Sequence, residues 1–97
     1  MSKIRKVQRS ENTWQYHFIC PGCNCEHAFD DRWQFNQDFD KPTISPSFLQ
    51  KGFLGFKDEK PIYGTCHSFI KDGKIEFLGD CSHELKNQTV DLIEYPS

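Results

Sequence analysis

The chain has 97 residues, 36% of them hydrophobic, and its 14 acidic and 12 basic side chains leave a net charge of −2. A chain of this length buries roughly 65% of the surface its unfolded form exposes, so one modest domain with a thin core is expected over residues 1–97. The charge balance excludes an extended nucleic-acid surface, which needs clustered Lys and Arg, and no apolar run is long enough to cross a bilayer.

The N-terminal basic run Lys3-Ile4-Arg5-Lys6, with Arg9 nearby, has no apolar segment behind it. It does not read as a secretion signal, and a cytoplasmic protein is expected. Residues 1–12 read as a flexible, solvated arm. Apolar residues then alternate at Trp14, Tyr16 and Phe18, and again at Trp33 and Phe35, the period of half-buried strands. Proline and glycine punctuate the chain at Pro21-Gly22, Pro42, Pro46, Gly52, Gly55, Pro61 and Gly64, and helical periodicity is scarce. The stretch from Gly55 to Gly64 reads as an exposed loop. The fold class is mostly β, with short strands and long connections.

A hairpin can be placed by register. Two β-prone runs flank Asp72-Gly73, a type I′ turn signal, which pairs Ile70 with Ile75 and Ser68 with Phe77. Faces alternate with period two. Cys66, Ser68, Ile70, Ile75, Phe77 and Cys81 therefore share one face, and His67, Phe69, Leu78 and Asp80 share the other.

Three of the five cysteines lie in the run "CPGCNC". In a reducing compartment disulfides are disfavoured, and an odd count does not suit a disulfide framework. A Cys-x-x-Cys knuckle followed by two cysteines meeting at a hairpin base has the layout of a zinc ribbon. One structural zinc held by Cys20, Cys23, Cys66 and Cys81 is expected, with Gly22 supplying a positive φ in the knuckle and Cys25 left spare. The competing readings are a redox pair, which would open a helix that nothing after Cys23 suggests, and free buried thiols.

"CPGC", "WQFN", "KPTISPSFL", "CHSFIKDGKIEFL", "DCSHEL" and "QTVDL" resemble, in order, a small domain of unknown function found in tailed-phage and bacterial genomes. Some members carry the name ammonia monooxygenase, which does not suit a chain without a membrane segment. The resemblance covers residues 18–92. It implies zinc, a phage or bacterial source and, through bacterial relatives beside ubiquitin-like conjugation genes, a peptidase role. The chain departs from the family pattern at Gln37 and Asn87, where glycines are usual.

Four cysteines on zinc leave His27, His67, Asp80 and His83 over. These could line one cleft as a hydrolytic site, bind a second, open, catalytic zinc, or orient one another as general base and partner. A serine could join them: Ser45 or Ser47 from the proline-bounded "PTISPS", or Ser68 or Ser82. Taken singly, each also has a structural reading, as a hydrogen-bond partner of thiolates or a turn cap. Two functions follow. One is a small peptidase-type hydrolase acting on a protein substrate, including ubiquitin-like proteins. The other is a non-catalytic zinc-ribbon adaptor that binds a host or phage protein.

Overall fold

The structure, a computed structural model, describes residues 2–95. Eight antiparallel strands run in order: β1 (Arg5–Ser10), β2 (Thr13–Cys20), β3 (Cys25–Phe29), β4 (Gln34–Phe35), β5 (Ile44–Lys57), β6 (Lys60–Lys71), β7 (Lys74–Phe77) and β8 (Thr89–Asp91). Strands β1-β2-β3 form one sheet and β4-β5-β6-β7-β8 the other, each in sequence order. Among the described residues there is no helix, so none long and apolar enough to cross a membrane.

The mostly-β expectation holds, and the reason is the alternation of burial. In β3 the buried residues are Cys25, His27 and Phe29; in β6 they are Cys66, Ser68 and Ile70; in β7 they are Ile75 and Phe77. These inner faces meet between the sheets, where Phe18 packs edge-on against Phe48 at 5.3 Å between ring centres. Phe29, Phe35 and Tyr16 extend the same aromatic cluster. In so small a domain a few large rings provide much of the buried apolar area.

Two expectations change. Residues 5–10 are not a free arm: they pair along β2, and Ile4 just before them is 1% exposed. The sequence hid this because Arg5, Lys6, Gln8 and Arg9 are exposed on an edge strand, where charge is expected of a solvated tail as well. The stretch around residues 55–64 is not a long loop either. β5 and β6 pair out to Lys57 and Lys60 around a tight turn at Asp58 and Glu59, both at positive φ.

The hairpin register is as expected, with Ser68 opposite Phe77 and Lys71 opposite Lys74. Asp72 and Gly73 have φ of 51° and 81°, as a type I′ turn requires. Gly73 is also hemmed in, since a Cβ there would lie 3.2 Å from the Lys41 Cα. Replacing Gly73 by Val should therefore destabilise the protein by about 2 kcal/mol, a fall in Tm on the order of 10 °C in a thermal melt.

Candidate functional site

Two groups of polar side chains stand on opposite faces of β6. On the inner face the β2–β3 turn forms a knuckle. Asn24 N–H donates to the Cys20 carbonyl at 2.8 Å, and Cys23 N–H donates to Cys20 Sγ at 3.3 Å. The left-handed residue of this turn is Asn24, with φ 57°, and not Gly22. Gly22 answers a different demand: a Cβ there would fall on the His83 imidazole. That ring is held edge-on by Phe77 at 4.4 Å and receives the Leu85 N–H at Nδ1, 3.2 Å away.

The ligand atoms of Cys20, Cys23, Cys66 and His83 all lie within 4.8 Å of one another. This group could hold a metal ion. Cys20 and Cys66 Sγ are 3.8 Å apart, and two thiolates on a tetrahedral ion with bonds of about 2.3 Å stand at roughly that spacing. His83 Nε2 is buried without a partner, the condition of a donor atom that lacks its ion. Hydrogen bonds from the Cys23 and Cys66 thiols pull the Cys20 thiol far below its usual range, against the effect of burial. The bond to Cys20 pushes Cys23 and Cys66 upward.

The fourth member is thus His83, where the sequence put Cys81. β7 ends at Phe77 and the chain turns, with Cys81 N–H donating to Leu78 O at 3.3 Å, so the alternation that would have aimed Cys81 inward does not reach it. Cys81 Sγ instead donates to His67 O at 3.1 Å and accepts from His67 N–H at 3.3 Å. Cys25 is outside this group, but forms a second one with Cys23 and the fully buried His27. The His27 ring lies against Phe18 and Phe48.

On the outer face, His67 is the centre of three neighbouring strands. It pairs with Leu49 of β5, and Leu78 N–H, just past β7, donates to its carbonyl at 2.9 Å. Its Nδ1 lies 3.1 Å from Asp80 Oδ2 and its Nε2 lies 3.1 Å from Ser47 Oγ. A carboxylate can only accept, so Nδ1 carries the proton and Nε2 is free to accept the Ser47 O–H. Ser47 reaches the ring through a bulge: between the pairs Ile44–Ile70 and Phe48–Ser68, residues 45–47 stand opposite Phe69 alone. The Trp33 indole N–H donates to the Ser47 carbonyl at 3.3 Å and holds the bulge in place. Nothing in the spacing of Trp33 signals this contact, which only the folded chain provides.

The expected cluster of polar residues therefore divides. His67, Asp80 and Ser47 come together, His83 belongs with the cysteines, and His27 is in the core. Among the described residues no metal-capable group gathers the three histidines: His83 stands with Cys20, Cys23 and Cys66, His27 with Cys23 and Cys25, and His67 with neither. Ser45 sits opposite Gln34 and not at His67; Ser68 is buried on the inner face, and Ser82 Oγ is bonded to Thr65. Beside Ser47 and His67, the exposed Leu49 and Phe69 leave an apolar surface that runs into a groove of about 600 Å³ lined by Ser45, Phe69, Lys71 and Glu76.

A hydroxyl, an imidazole and a carboxylate in one hydrogen-bonded line is the arrangement of serine hydrolases, on whatever fold it is built. The chain belongs to the bacterial ubiquitination-like system serine protease family (BubE), whose model matches residues 2–78. That span includes Ser47, His67, Cys20, Cys23 and Cys66 and stops just short of Asp80. Comparison with curated proteins and with solved structures gives no match.

The geometry of the inner group has a measurable consequence. Cys66→Ser and His83→Ala should each lower bound metal, read by elemental analysis of the purified protein. Gly22→Ala should do the same by displacing the ring, while Cys25→Ser keeps full occupancy.

Proposed function

We propose that the chain is a serine peptidase with Ser47 as nucleophile, His67 as general base and Asp80 as the carboxylate that orients the base. The observation that carries this reading is His67 standing at 3.1 Å from both Ser47 Oγ and Asp80 Oδ2. Ser47 Oγ attacks the acyl carbon while its proton passes to His67 Nε2. His67 then returns that proton to the leaving amine, and water repeats the sequence to release the acyl group. Asp80 keeps the proton on Nδ1 and stabilises the imidazolium that forms.

The substrate class that suits the family is a protein of a ubiquitination-like system, a ubiquitin-like protein among them, cut at a peptide bond. An extended segment of such a protein would meet apolar contact on the outer face from Leu49, opposite His67, and from Phe69, two residues along β6, both exposed. Zinc is the metal we assign to Cys20, Cys23, Cys66 and His83, because three thiolates and an imidazole fit a closed tetrahedral site. Bound there it would supply folding energy and no chemistry, since the group is filled by protein ligands and lies on the face opposite Ser47. A protein partner without catalysis, the adaptor function, would not need a serine placed on the imidazole.

Ser47→Ala and His67→Ala should each lower hydrolysis of a ubiquitin-like precursor or a peptide ester by at least about 10⁴-fold, and Asp80→Asn by roughly 10²–10⁴-fold, with metal content unchanged. A fluorophosphonate should label Ser47 in the parent protein and fail to label the His67→Ala variant. Labelling at another residue, or equal labelling in both proteins, would remove the serine-peptidase reading.

A further inference from the structure

The structure assigns to Cys81 a role as positioning residue for the His67–Asp80 pair, an inference that rests on the serine-peptidase reading of that pair. β7 stops at Phe77, yet the chain beyond it stays attached to β6 as far as Ser82. It does so largely with side chains. Leu78 N–H and the Cys81 thiol both donate to His67 O, at 2.9 and 3.1 Å, while His67 N–H donates to Cys81 Sγ at 3.3 Å. Two residues back along β6, Thr65 N–H donates to Ser82 Oγ at 3.0 Å, and Ser82 N–H donates to Thr65 O at 3.0 Å. A thiol and a hydroxyl thus stand in for part of the backbone ladder.

This substitution lets the backbone turn without letting go. A regular continuation of the register would set Asp80 opposite Thr65, two residues along from His67. The turn at residues 78–81 instead brings the carboxylate to His67 Nδ1. Asp80 needs that support because its side chain is 52% exposed and, among the described residues, its carboxylate bonds to His67 alone. Burial does not hold it; its neighbours along the chain must. Cys81 is the next residue, 5% exposed, and its sulfur uses both a donor and an acceptor position on the backbone of His67 itself. Base and carboxylate are therefore registered against each other through one buried thiol.

The test compares Cys81→Ala and Cys81→Ser with the parent in the metal-loaded, full-length protein. Three quantities are read: metal content, kcat and KM on a peptide ester, and the low-field proton resonance of His67 Nδ1–H, assigned by its loss in Asp80→Asn. Cys81→Ala should keep its metal, lose or strongly shift the low-field resonance, and lower kcat by about tenfold or more with KM within about twofold. Cys81→Ser, whose hydroxyl can donate to the same carbonyl, should recover most of both signals. In an Asp80→Asn background Cys81→Ala should cost nothing further, since no carboxylate remains to be positioned. Loss of metal in Cys81→Ala, an unchanged resonance and kcat, or full additivity with Asp80→Asn would each overturn the assignment. Should the alanine variant not fold, Cys81→Val against Cys81→Ser makes the same comparison at similar volume. Should the parent turn over no ester, the peptidase reading falls, and the resonance by itself still decides whether Cys81 holds Asp80 on His67.

Discussion

Side chains on a strand point to alternate faces, and in this protein one strand carries a polar cluster on each face. Cys66 points inward to Cys20, Cys23 and His83, while His67, the next residue, points outward to Ser47 and Asp80. Neither group can shift along β6 without shifting the other, because a slip of one residue would exchange the faces. The position of β6, between β5 and β7 in the sheet, then decides who the partners are. β5 brings Ser47 from one side, and the chain leaving β7 brings Asp80 from the other.

The segment just after β7 is the second place where the two groups are joined. Asp80, Cys81 and His83 belong respectively to the outer line, to the backbone of His67 and to the inner cluster. A domain with so thin a core has little packing with which to hold such a segment, and among the described residues no two cysteines form a disulfide. A metal joining Cys20 and Cys23 of the knuckle to Cys66 and His83 would tie the two sheets together at this point, where the carboxylate needs a fixed support. Stability and geometry at the outer site would then share a cause.

The polar residues in the core mark where that arrangement is costly. His27 is 2% exposed, with neither ring nitrogen bonded, and it stands against Cys23 and Cys25. A buried imidazole without a partner costs free energy unless something in the folded protein accepts or donates to it. The thiols of Cys23 and Cys25 are the polar groups within reach of it.

The sequence by itself determined what depends on neighbours in the chain. The hairpin at Asp72-Gly73 and its register are local, set by a turn that only certain residues enter and by a period of two, and they suffice to put Cys66 and His67 on opposite faces. The Cys-x-x-Cys knuckle is local in the same sense, and so is the scarcity of helix. What the tertiary structure decided begins where a strand ends. The extrapolated alternation placed Cys81 with the other cysteines, but β7 stops at Phe77, and a turn carries no face parity across it. His83 consequently takes the inner position and Cys81 turns to the backbone of His67. Gly22 reads as a turn residue until the ring that occupies its missing side chain is seen, and the choice of Ser47 over Ser45 hangs on a bulge and on an indole from a distant strand connection. These are contacts between segments far apart in the chain, and no local propensity encodes which of two suitable side chains a distant partner will meet.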